Sequence, residues 1–184
     1  MKLNKIMLAA VMALGVSSVA HAADQGHGKV TFSGSIIDAP CSIAPDSLDQ
    51  TVELGAISNV ALKDGGKSTP RNFQIKLENC ELITETKDGK TKNNSVALTF
   101  SGAASSVNAN LLGITGTAKG AGIGITDGAG NDIKLGTATG AQTLQNGANT
   151  LSFAAYLQGT KASEAGSIVP GEFQSVADFT LAYQ

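Results

Sequence analysis

The chain has 184 residues, 42% hydrophobic, 15% charged and 4% aromatic, with 22 glycines, no tryptophan and a formal net charge of −2 at pH 7. That length suits one domain with a sizeable core, and the slightly acidic balance gives no electrostatic footing for nucleic acid. Short alternating apolar runs exclude a coiled coil, and past the first residues no run is long and apolar enough to span a membrane.

The first 22 residues, "MKLNKIMLAAVMALGVSSVAHA", carry Lys2 and Lys5, an apolar run from Ile6 to Val16, and the small-residue pattern Ala20-His21-Ala22. This is the pattern of a secretory signal peptide cut after Ala22, and the run is short of the roughly 20 residues a spanning helix needs. Cleavage takes 22 of the 184 residues and leaves 162. Lys2 and Lys5 go with the leader, so 11 of the 13 basic residues remain against 15 acidic ones.

The next stretch, "ADQGHGKVTF", alternates: Gly26, Gly28, Val30 and Phe32 fall on one face, and Gln25, His27, Lys29 and Thr31 on the other. It reads either as a detachable strand or as a frayed terminus feeding a first strand at Lys29 to Ile37. Cys41 and Cys80 are the only cysteines. In an exported chain an isolated pair reads as a disulfide, because a metal site wants further Cys or His ligands.

Further strands are predicted at Thr51 to Leu54, Asn72 to Leu77, Ser95 to Phe100, Gly122 to Thr126, Asp132 to Leu135 and Thr150 to Leu157. Turn signals separate them at Asp64-Gly65-Gly66, Asp88-Gly89, Asp127-Gly128 and Asn146-Gly147. Many short strands at this spacing make an all-β sandwich. The Gly-, Ala- and Thr-rich stretch from Gly102 to Gly147 is expected to include long surface loops.

Several stretches imitate chemistry. "ALKDGGKST", Ala61 to Thr69, lacks the first glycine of a phosphate loop and runs into Pro70 and a strand rather than a helix. "GAGIG", Gly120 to Gly124, matches dinucleotide-loop spacing only in part. The Asp127 loop offers calcium-type oxygens but has Ala138 where a bidentate Glu belongs. The charged run Glu85 to Asn94 reads as a solvated hairpin tip. Past the leader the only histidine is His27, close to the new terminus, and Asp46 with Asp49 are ordinary loop acids. The inventory supports no catalytic triad, no metal site and no cofactor.

From Phe173 to Tyr183 every second residue could share one face, and most of these are apolar, the pattern of a half-buried final strand. It leaves no later sequence to pair with its far edge, and such an edge normally needs a cover. An exported β domain with one strand to spare at its start and one too few at its end suggests that one molecule completes another.

Together, "GKVTFSGSIIDAPCSI" (Gly28 to Ile43), "NFQIKLENC" (Asn72 to Cys80) and an ending with Gly171 fourteenth from the terminus and penultimate Tyr183 resemble the structural subunits of chaperone-usher fimbriae. Within that family "DAPCSI" and "FTLAYQ" look most like major subunits of the P-fimbria and mannose-resistant Proteus-like type. The resemblance implies an incomplete immunoglobulin-like Greek-key β-sandwich, spanning residues 34–184, that lacks its last strand. Residues 23–33 would be an N-terminal extension whose inward residues Gly26, Gly28, Val30 and Phe32 fill a neighbour's groove, a mode of strand addition known for pilins. Gly171, Phe179, Leu181 and Tyr183 would line the accepting side. The implied partners are further copies and other fimbrial subunits, a periplasmic chaperone and an outer-membrane usher. The product would be a cell-surface fibre supporting adhesion. A minor adaptor or terminator subunit shares these features, and a monomeric secreted binding domain is the alternative of another class. A tip lectin would need a second domain for which the length has no room.

Overall fold

The computed structural model describes residues 27–82, 94–161 and 168–184. The leader, Gly26 and all of the charged tip except Asn94 lie outside them. By its contacts the chain divides into residues 1–36 and 37–184, and every strand and helix among the described residues belongs to the second unit.

That unit opens with β1 (Ser42–Ile43), the one-turn helix α1 (Pro45–Leu48) and a 3-10 turn at Lys63–Gly65. Then come β2 (Arg71–Cys80), β3 (Ser95–Gly102), β4 (Leu112–Gly113), β5 (Thr115–Gly116), β6 (Ala121–Asp127) and β7 (Asp132–Ile133). Last are β8 (Gln142–Thr143), β9 (Gly147–Gly159), β10 (Phe173–Gln174) and β11 (Ala177–Tyr183).

One sheet runs β1-β2-β9-β6-β4 with β7 beside β6, the other runs β11-β3-β8, and β10 pairs separately with β5. The two-residue period decides which side chains enter the space between the sheets. In β2, Ile75 and Leu77 are buried while Asn72, Gln74 and Lys76 are exposed. The antiparallel register sets Phe73 opposite Phe153 and Ile75 opposite Leu151. From the second sheet β3 contributes Val96, Leu98 and Phe100, all buried. Three rings form the middle of this core: Phe100 meets Phe153 edge-on at 5.2 Å, and Phe73 stacks on Phe153 at 5.6 Å. Such pairs contribute about 0.5–1.5 kcal/mol each beyond the burial of their area.

The outer face of the first sheet has a cover of its own. Gly124 stands opposite Tyr156, and a Cβ there would run into the tyrosine ring, so only glycine lets the ring lie across β6. The Tyr156 hydroxyl donates to Asp132 Oδ1 at 2.7 Å, and Lys67 bonds the same carboxylate at 3.0 Å while standing 4.3 Å over the ring. Those two bonds, the tyrosine's first, hold the Asp132 carboxyl below its ordinary value. The stability this adds is present above the ordinary carboxylate pKa and fades as pH falls through the depressed one.

Cys41 and Cys80 are disulfide-bonded across a separation of 39 residues, joining the chain just before β1 to the end of β2. Both are buried with Leu144, Val96 and Leu77. Closing a loop of that size is worth about 4 kcal/mol on the chain-entropy account. A Cys80→Ser variant is therefore expected to lose most of its steady-state level, and mass spectrometry of the wild-type chain should find no free thiol.

Departures from the sequence reading have local causes. No ladder forms at Lys29 to Ile37 or Thr51 to Leu54 among the described residues, because alternation specifies a face but not a partner. The final strand is broken at Ser175-Val176: β10 belongs with β5 and β11 with β3, and the Ser175 hydroxyl donates to Gly113 O at 2.7 Å at the crossing. The stretch from Gly102 to Gly147 carries β6 and β7 where strands were expected and adds the two-residue strands β4, β5 and β8, and it buries Ser105, Leu111, Leu112 and Ala118.

Candidate functional site

The sandwich is closed along one side and open along the other. On the closed side β3 is completed by β8 and by the chain before it: Thr139 N donates to Leu98 O at 2.7 Å, and Leu98 N to Thr139 Oγ1 at 3.0 Å. On the open side β11 is paired through all seven residues, from Ala177 with Gly102 to Tyr183 with Val96, but with β3 alone. Its other edge presents backbone donors and acceptors with no ladder among the described residues. An apolar edge of this kind is a template for another strand.

Along that edge runs a groove with a volume of 1120 Å³. One wall is residues 171–179. The other runs from the end of α1, residues 47–55, where Val52 and Leu54 are half-buried and Thr51, Glu53 and Gly55 exposed. This second wall is pinned to β2: Lys76 N donates to the buried Ser47 hydroxyl at 3.0 Å, and Gln50 Nε2 donates to Gln74 O at 3.2 Å. The floor is apolar, built from Phe73, Ile75, Phe100, Leu112, Ile123 and Ile125. A strand laid here would meet hydrogen-bonding edge on one side and hydrocarbon beneath.

Phe179 and Gly171 line this groove. Leu181 and Tyr183 continue the same face of β11, half-buried against the main core, with Thr180 and Ala182 exposed between them. The Tyr183 hydroxyl is buried with no hydrogen-bond partner among the described residues, and burial pushes its pKa up. Gly171 is held by a close approach: a Cβ on it would collide with Thr117 Oγ1 and stand 2.7 Å from Ala118 N. Glu172 O accepts from both Thr117 N and Ala118 N, at 3.0 and 3.1 Å, which fixes the approach.

On the extension, Val30 is 75% and Phe32 91% exposed, and a Cβ on Gly28 would meet nothing within 4 Å. Gly26 lies outside the described residues. The floor and the second wall are what sequence reasoning missed as site residues. The alternation of Val52 and Leu54 was the available signal, and what it lacked was any hint that this segment faces residues 171–179.

Nothing in the groove suggests bond chemistry: its charged groups are exposed carboxylates at the rim, and among the described residues no group of three or more His, Cys, Asp or Glu side chains could hold a metal ion.

The model of the family described as "Fimbrial protein" matches residues 30–184. Over its whole length the chain is 68% identical to the whole of the fimbria A protein of Serratia marcescens. It is also 57% identical, again over the full length of both, to the major MR/P fimbria protein of Proteus mirabilis. Among solved structures it is similar to a chain of a chaperone-usher pilus, with 34% identity and a TM-score of 0.74 over 87% of this chain and 97% of that one. The P pilus rod subunit gives 34% identity and a TM-score of 0.67 over 79% and 100%.

Proposed function

The chain belongs to the fimbrial protein family and is a structural subunit of the fibre, and from that premise we propose that copies join by strand exchange at the groove beside β11. The inward face of the extension, Gly26, Gly28, Val30 and Phe32, is the donor; Gly171, Phe179, Leu181 and Tyr183 stand on the acceptor. The observation that carries this reading is the pairing of opposites within one chain: an apolar floor beside an unpaired strand edge, and two bulky apolar side chains 75% and 91% exposed. Burying Val30 and Phe32 contributes on the order of 3–6 kcal/mol, and each main-chain bond about 1 kcal/mol more.

The same edge requires a cover before assembly. In this reading a periplasmic chaperone lends a strand to β11, an outer-membrane usher is where a neighbour's extension replaces it, and other fimbrial subunits join the same fibre. The leader at 1–22 starts that export route, and the product is a fibre on the cell surface. The groove has no part in catalysis.

Leu181→Asp tests the assignment. It sets a charge on the half-buried face of β11, where an unpaired carboxylate costs several kcal/mol once a strand covers it. Co-purification with the cognate chaperone should fall at least about tenfold, with periplasmic levels following it. Unchanged capture would remove Leu181 from the acceptor.

A further inference from the structure

We propose that Lys29 of one copy is read by a rim of carboxylates on the groove of the next, and that this pairing sets how fast copies assemble. The inference rests on the donor reading above and adds a charge code to it. Asp49, Glu53, Glu172 and Asp178 all line the groove and all are exposed; among the described residues no lysine or arginine lines it. Arg71 stands beside one wall, its Nη2 3.7 Å from where a Cβ on the groove-lining Gly55 would sit. None of the four carboxylates takes part in an ion pair among the described residues, where the acceptors are Asp132 and Asp46.

Their placement follows strand parity. On one wall Glu53 stands outward between the half-buried Val52 and Leu54. On the other, Glu172 stands outward beside the half-buried Phe173, and Asp178 beside Phe179. Both walls therefore turn hydrocarbon in and carboxylate out. An incoming strand obeys the same period: with Val30 and Phe32 turned to the floor, Lys29 is turned to the rim. Side chains on one face of neighbouring strands lie about 4.5–5.5 Å apart when opposite and about 7–8 Å on the diagonal. Both distances are within the roughly 8 Å over which physiological salt leaves charges visible to one another. A rim with four negative charges also draws the cation in before contact, so the largest effect falls on the encounter rate and on the rejection of strands with an acid at this position.

The test uses the full mature chain, refolded from denaturant and allowed to assemble at about 20 mM and about 500 mM NaCl, with polymer ladders counted on gels. Lys29→Glu should assemble about tenfold more slowly at the lower salt and within about twofold of wild type at the higher one. Adding Glu53→Lys and Asp178→Lys to the same chain should restore most of the rate. Equal rates at low salt, a defect that persists at high salt, or no rescue by the paired reversals overturns the proposal. A fluorescent peptide of residues 23–36 separates this from the donor reading. If the peptide binds the full chain, loses binding on Val30→Asp, and is indifferent to Lys29→Glu, the charge code falls and strand donation stands. If the wild-type peptide binds at neither salt, both fall.

Discussion

Removing residues 23–33 should abolish fibres while leaving a subunit that folds and is held by its chaperone. The deletion takes Val30 and Phe32, which contribute on the order of 3–6 kcal/mol at each junction, and the main-chain ladder with them. A junction weakened by that much is at least about a hundredfold less populated, and a fibre needs every junction in series. The acceptor loses nothing, because the groove's lining among the described residues begins at Ser47 and β11 runs to Tyr183, all beyond the deletion. Stable chaperone complexes on gel filtration and empty grids by negative-stain microscopy are the expected pair of results. Fibres from the truncated chain would mean that the extension is not the donor. A finer version tests its register: Gly28→Lys puts a long cation on the inward face and should stop assembly, whereas His27→Lys on the outward face should not.

Gly171→Arg should be as damaging for a different reason, acting on the acceptor. The collision begins at the Cβ, which meets Thr117 Oγ1 and stands 2.7 Å from Ala118 N and 2.9 Å from Thr117 C. Two of those three are backbone atoms, in a segment whose Thr117 N and Ala118 N both donate to Glu172 O, so the neighbour cannot yield cheaply. Even Gly171→Ala should lower stability by about 1–3 kcal/mol in urea melts of the refolded mature chain. The arginine, longer and charged, should displace residues 171–174 from β5 and close the end of the groove, leaving neither chaperone complex nor fibre. An alanine variant as stable as wild type would show that the close approach does not matter.

How far such features are legible in the sequence depends on how local their causes are. The inward set of Phe173, Phe179, Leu181 and Tyr183 follows from a period of two and survives the break at Ser175-Val176, because the parity carries across it. The disulfide needed only that there be two cysteines and an export signal. Gly171 could be singled out by its place before the terminal strand, but the reason for glycine lies 53 residues away at Ala118. The far wall is harder still: Val52 and Leu54 alternate visibly, yet they lie more than a hundred residues from the strand they face, and no local pattern encodes that meeting. The strand broken between β10 and β11 was illegible for the same reason, since its two halves pair with different and distant partners, β5 and β3.

The disulfide acquires a further meaning in a fibre that is pulled. If neighbours grip the chain by its extension, tension enters the subunit through the residues that lead to Cys41. There it finds a covalent shortcut to Cys80, at the end of β2 and in the buried core. The residues between the cysteines are bypassed by the load path, so about 130 Å of chain, at the 3.3–3.6 Å per residue of an extended backbone, cannot be drawn out however hard the fibre is stretched. That protected loop contains the wall of Val52 and Leu54 and most of β2. Force arriving from one neighbour is thus kept from unravelling one wall of the groove that grips the other.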